Sequence, residues 1–191
     1  MILESKSRCL MQKGSIEVIC GSMFSGKTEE LLRRLKRAQI AKLKIAVFKP
    51  EIDVRYNDTK IVSHNSNYID SIPINNISTI LPLASKAQVV AIDEIQFFNN
   101  DIINICTQLA NHGKRVIVSG LDMDFMGNPF EPMPQILSIA EKITKVHAIC
   151  NDCGEIANHS YRTTKSEELI HLGEKDKYKP LCRDCFSSNM K

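Results

Sequence analysis

Residues 21–28, Gly-Ser-Met-Phe-Ser-Gly-Lys-Thr, satisfy the pattern G-x-x-x-x-G-K-[ST] in full, and no other stretch constrains the fold as strongly. The pattern lies between an apolar run, SIEVIC (15–20), that reads as a buried strand and a helical pattern from Thr28 to about Lys42. Glycines let the backbone curl until successive N–H groups point inward at phosphate oxygens, and the helix start adds partial positive charge. In that geometry Gly21, Ser22, Met23, Phe24, Ser25 and Gly26 form the cradle. Lys27 reaches the β and γ phosphates, and Thr28 offers its hydroxyl to Mg²⁺.

The rest of the chain fits that start. LKIAVFKP (43–50), AQVVAIDE (87–94) and KRVIVSGL (114–121) read as further apolar strands, and NDIINICTQLANHG (100–113) as a helix stopped by Gly113. On the first helix Leu31, Leu32, Leu35 and Ala38 share one face, and Arg33, Arg34, Lys36 and Arg37 read as the solvated remainder. Strands alternating with helices predict an α/β fold of the P-loop NTPase type, a mostly parallel sheet flanked by helices. The polar region 51–80 carries weak strand signals at KIVS and NYIDSI, and GLDMDFMGNPFEPMPQI, rich in proline, reads as irregular.

Net charge is only +3, too mild to argue for nucleic acid or a membrane surface. No apolar run approaches a membrane span, and the N-terminus lacks a signal-peptide core, so a soluble, cytoplasmic protein is expected. Of seven cysteines, Cys20 and Cys106 read as small core residues and Cys9 lies in a polar tail. Cys150-x-x-Cys153 and Cys182-x-x-Cys185 form two knuckles whose four thiolates suit a closed, structural Zn²⁺ site. A dithiol redox site would instead need one pair near a βαβ start. The expected organisation is a flexible tail (1–14), a P-loop α/β domain (15–145) and a small C-terminal zinc-ribbon lobe carrying a long loop (146–191).

Asp93 and Glu94 end the third apolar strand, and a parallel sheet presents its carboxyl edge to the ligand. Asp93 suits water-mediated contact with Mg²⁺, which leaves Glu94 as the base that draws a proton from an attacking hydroxyl. Phe97 and Phe98 follow, either of them a pocket wall or a core residue.

These motifs in order, GSMFSGKT, then Asp53-Val54-Arg55, DEIQFF (93–98), GLDMDFMGNPF (120–130) and the paired knuckles, resemble the thymidine kinases of the cytosolic, zinc-containing type. The resemblance covers roughly residues 15–186. It implies transfer of the ATP γ-phosphate to the 5′-hydroxyl of thymidine, as in pyrimidine salvage, with Mg²⁺ and a structural Zn²⁺. It implies Glu94 as general base, Asp53 and Arg55 near the transferred phosphate, and the run Asp93, Glu94, Ile95 and Gln96 beside ATP. Met23, Phe97, Leu121 and Phe125 would meet the nucleoside. The segment 158–180 would be a lasso closing over it, with Ser160, the backbone of Leu169, Ile170, His171, Leu172 and Gly173, and Tyr178 as contacts. A homotetramer and feedback by thymidine triphosphate are also implied. Two rival readings are a P-loop ATPase whose zinc ribbon grips nucleic acid and a kinase for another nucleoside. Against the first, Glu167, Glu168, Glu174 and Asp176 interrupt the lysines of the loop.

Overall fold

The computed structural model describes residues 13–52, 60–62, 68–164 and 177–190. Its elements in chain order are β1 (Ser15–Cys20), α1 (Lys27–Ile40), β2 (Ile45–Pro50), β3 (Lys60–Val62), β4 (Tyr68–Asp70), β5 (Ile72–Ile74) and α2 (Ile80–Leu83). There follow β6 (Val89–Ile92), α3 (Asp101–Asn111), β7 (Arg115–Gly120), α4 (Met133–Ile139) and β8 (Lys142–Lys145). The C-terminal part holds β9 (Ala148–Ile149), β10 (Ile156–Ala157), β11 (His159–Arg162), β12 (Tyr178–Leu181) and α5 (Arg183–Asn189).

Six strands form one sheet in the order β5-β2-β6-β7-β1-β8, and every pairing in it is parallel. Its central strands are buried on both faces, which is why they read as unbroken apolar runs. Alternate residues face opposite layers. Val18, Cys20, Val90, Ile92, Val116 and Val118 pack with Ile80 of α2, Ile102, Ile105, Cys106 and Leu109 of α3, and Met133 and Ile136 of α4. Ile19, Val89, Ala91 and Ile117 turn the other way, onto Leu31, Leu32, Leu35 and Ala38 of α1. Burial pushes the thiol of Cys20 up to about 11 and that of Cys106 up to about 12, as befits core residues.

Two readings of the sequence are corrected here. Arg34 is not on a solvated face: it is 5% exposed and closes an ion cluster under the sheet. Its Nη1 donates to Glu17 Oε2 at 2.7 Å, its Nε to Glu30 Oε1 at 2.8 Å and its Nη2 to Thr144 Oγ1 at 2.8 Å. Arg115 Nε donates to the other oxygen of Glu17 at 2.7 Å. The proline-rich stretch also contains a regular element, because Pro132 caps α4 and Pro134 lies in its first turn, where backbone N–H groups have no helical acceptor anyway.

After β8 the chain builds small antiparallel pairs, β9–β10 and β11–β12, closed by α5. Ala148, Cys150, Ala157, Leu181 and Phe186 form a separate small core, with Phe24 of the 21–28 loop packed against it. The expected N-terminal tail lies almost wholly outside the described residues, as does Cys9.

Candidate active site

The strand order puts β6, β7 and β1 side by side and parallel, so residues 93–98, 121–130 and 21–28 all leave the same edge. With neighbouring strands about 4.8 Å apart, the ends of β6 and β1 lie on the order of 10 Å from each other. The end of β2 adjoins them on the other side, but Asp53 and Arg55 fall outside the described residues.

The 21–28 loop is built as a cradle. Gly21 has φ 143° and Gly26 has φ 84°, both in the region that favours glycine. At Gly21 a Cβ would also lie 2.1 Å from the Val146 carbonyl oxygen. Gly26 caps the start of α1, Lys27 is 8% exposed, and its Nζ donates to the Ser22 carbonyl at 2.8 Å. Ser25 Oγ donates to the same carbonyl at 2.7 Å. Ser22 Oγ is buried with no hydrogen-bond partner among the described residues, and Thr28 follows Lys27 into the helix. A dipole end, a buried ammonium and a spare hydroxyl fit a phosphate chain. Phe24, at φ 63°, turns its ring to the C-terminal core.

The acidic edge has a defined architecture. Asp93 is 5% exposed and its Oδ1 accepts the backbone N–H of Glu94 at 3.0 Å. Glu94 adopts φ 49°, ψ 45°, a left-handed conformation uncommon for a residue with a side chain and frequent at functional sites. Gln96, 4% exposed, grips it: Nε2 donates to Glu94 Oε2 at 2.5 Å, while Oε1 accepts the N–H of Leu121 at 3.0 Å. One amide therefore ties the end of β6 to the end of β7. Ile95 is fully buried in the core, Phe97 is half-buried, and Phe98 packs against the core.

Loop 121–130 is held by Asp124, whose Oδ1 accepts from the N–H groups of Met126 and Asn128, each at 2.9 Å. Met123 and Pro129 close it as an isolated bridge, and Phe130 N donates to the Asp122 carbonyl at 3.1 Å. Leu121 and Phe125 are half-buried on it.

The C-terminal lobe touches both loops through one strand. Ser160 and Arg162 lie two apart on β11 and share a face. Ser160 Oγ accepts the N–H of Met23 at 2.9 Å. The Arg162 guanidinium lies 3.6 Å from the centroid of the Phe125 ring, and its Nε and Nη2 donate to Tyr178 Oη at 3.1 and 2.9 Å. Leu169, Ile170, His171, Leu172 and Gly173 fall outside the described residues. Sequence reasoning had no signal for Arg162, because Phe125 is remote in the chain; Asp124 was findable from its place before a glycine turn.

The four knuckle cysteines converge. The Sγ atoms of Cys150, Cys153, Cys182 and Cys185 all lie within 4.8 Å of one another, and none is in a disulfide. Tetrahedral bonds of ~2.3 Å to sulfur set sulfurs ~3.8 Å apart, so the cluster fits a zinc-sized ion with four thiolate ligands. Cys150 N donates to the Glu155 carbonyl at 2.7 Å, Gly154 N to the Cys150 carbonyl at 3.0 Å and Cys185 N to Cys182 Sγ at 3.4 Å, which shapes both knuckles. No helix among the described residues is long and apolar enough to cross a membrane.

Known proteins are similar to this chain over most of its length. A relative from Bacteroides thetaiotaomicron named thymidine kinase is 55% identical over 175 residues, 92% of this chain and 88% of its own. One from Rhodothermus sp. (strain ITI 518), also named thymidine kinase, is 58% identical over 173 residues, 91% and 81% of the two chains. A third of that name, from Porphyromonas gingivalis, is 51% identical over 184 residues, 96% and 90%. The sequence model described as thymidine kinase matches residues 14–186, and by that match and these identities the chain belongs to the thymidine kinase family.

Proposed function

We propose that the chain is an ATP:thymidine 5′-phosphotransferase, converting thymidine and ATP to thymidine 5′-phosphate and ADP. The observation that carries this reading is the Glu94–Gln96–Leu121 bridge at the sheet edge shared with the phosphate cradle. It supports a fixed carboxylate beside transferable phosphate. Glu94 takes the proton of the 5′-hydroxyl as that oxygen forms its bond to the γ-phosphorus, and the bond from that phosphorus to the β,γ-bridging oxygen breaks as ADP leaves. Lys27 shifts from the Ser22 carbonyl to the phosphate oxygens, and Arg55 adds a second positive charge against the equatorial oxygens. Asp53 belongs beside Arg55. Thr28 and Asp93 would hold Mg²⁺, which would supply charge neutralisation at the phosphates.

Met23, Phe97, Leu121 and Phe125 form the walls for thymine, with Ser160, Tyr178 and the backbone of residues 169–173 closing over it. Lasso closure excludes water that would otherwise hydrolyse ATP. Cys150, Cys153, Cys182 and Cys185 would hold Zn²⁺, which would brace the base of the lasso. The boundaries 1–14, 15–145 and 146–191 divide tail, phosphate-transfer domain and zinc lobe. The same reading carries a homotetramer and inhibition by thymidine triphosphate, checked by sedimentation and by titrating that triphosphate into the assay.

The test is ADP release by the purified chain with a panel of nucleosides and with DNA or RNA. Thymidine should give the highest kcat/KM. ADP release driven only by nucleic acid, or a clear preference for a purine nucleoside, would reject the proposal.

A further inference from the structure

Arg162 is a buried charge whose guanidinium meets two aromatic side chains from different elements, Phe125 and Tyr178. It is 6% exposed and pairs across the β11–β12 ladder with Tyr178, itself 7% exposed. That is the last register pair of the hairpin, and Thr163 N donates to the Lys177 carbonyl at 2.9 Å just beyond it. The pairing of the two strands thus extends to Thr163 and Lys177. The guanidinium plane meets the Phe125 ring at 3.6 Å on one side and donates twice to the Tyr178 hydroxyl on another. Two residues earlier on the same face, Ser160 holds the phosphate loop at Met23.

We propose that Arg162 is a positioning residue for the nucleoside pocket: it fixes Phe125 as a wall for the base and ties that wall to the root of the lasso. The inference rests on the proposed thymidine kinase activity. Phe125 lies on a loop whose backbone is held by Asp124, yet its ring is only half-buried, so packing alone leaves it freedom. A planar cation against the ring face removes that freedom, since guanidinium–aromatic stacking strengthens when desolvated. The twin donation to Tyr178 in turn fixes the plane. Lysine keeps the charge but has neither plane nor fork, so it cannot substitute.

The test compares Arg162→Lys, Arg162→Ala and Phe125→Leu with the wild type. Both Arg162 variants should raise KM for thymidine about tenfold or more, leave KM for ATP within about twofold and kcat within about threefold. The Phe125→Leu/Arg162→Lys double variant should be no worse than Phe125→Leu alone, because both changes break one contact. A second readout needs no thymidine. The chain has no tryptophan, so Phe125→Trp places a lone reporter at the wall. Its quenching by acrylamide should rise at least twofold on adding Arg162→Lys. Unchanged quenching, full rescue by lysine, multiplicative effects in the double variant, or equal rises in both KM values with a falling Tm would each overturn the proposal. If the wild type prefers a different nucleoside, the functional reading fails while the quenching result still decides the role of Arg162.

Discussion

Replacing Gln96 by Met keeps length and volume but removes the donor to Glu94 and the acceptor for the Leu121 N–H in one step. The two losses have separate readouts. A hydrogen bond to a charged group contributes about 1.5–3 kcal/mol, which at about 1.4 kcal/mol per decade corresponds to about tenfold to 150-fold in rate if all of it serves to aim the carboxylate. The stranded Leu121 N–H costs about 1–3 kcal/mol of stability, and for a chain of this size Tm falls about 2–4 °C per kcal/mol. Steady-state ADP release at 25 °C with saturating substrates isolates kcat, and a thermal melt gives Tm. The expected Gln96→Met enzyme has kcat down by that factor, KM for ATP nearly unchanged, and a lower Tm. Glu94→Gln should lose two or more orders of magnitude, and Glu94→Gln/Gln96→Met should be no slower than Glu94→Gln alone. If Gln96→Met melts early but retains full kcat, or if the two losses multiply, the carboxylate is not aimed by this amide and the reasoning fails.

Three further outcomes are expected. Stripping the four-cysteine cluster with a chelator should weaken thymidine binding more than ATP binding by calorimetry, since β11 and β12 bear the proposed nucleoside contacts Ser160 and Tyr178, while the phosphate loop, though it loses Ser160, keeps the Lys27 and Ser25 bonds to the Ser22 carbonyl; equal loss of both would show that the metal holds the whole fold. Asp124→Ala should raise KM for thymidine several-fold and cost about 1–3 kcal/mol in denaturant unfolding, because the N–H groups of Met126 and Asn128 lose their acceptor; an unchanged unfolding midpoint would refute this. The Arg33 hydrogen bond, with help from Arg34, lowers Glu30 from its ordinary value of 4.5 to about 2. Its folded value lies below the unfolded one, so its contribution is complete above about pH 4.5 and vanishes as pH falls toward 2. Glu30→Gln should therefore flatten the acid limb of a stability–pH curve in that window.

The strands that hold the site were legible because burial on both faces makes them unbroken apolar runs: SIEVIC, VVAI and RVIV could hardly be anything else. The edges were not. β8 is Lys-Ile-Thr-Lys, mostly exposed, and nothing in its composition distinguishes an edge strand from a polar linker. β5 contains Pro73, which a strand tolerates only at an edge, where β5 lies. α4 was hidden by its prolines, because the rule that proline breaks helices does not apply to the first turn. Among site residues, the glycine cradle and the cysteine spacings are local codes and could be read directly. Gln96 was placed beside ATP by resemblance, but its grip on Leu121 joins two strand ends and has no local signature. Arg34 was misread for the same reason, its partner Glu17 being on a different element.

That ion cluster beneath the sheet also limits how the chain can diverge. Glu17, Glu30, Arg34 and Arg115 close on one another, with Glu17 and Arg34 shut away from water. Removing one member of a buried pair strands its partner at a cost of about 3–5 kcal/mol, whereas exchanging the whole set for well-packed apolar residues is often neutral. Descendants of this sequence can reach either solution, but not by single accepted steps. Lineages that differ at position 17 should differ at 34 as well.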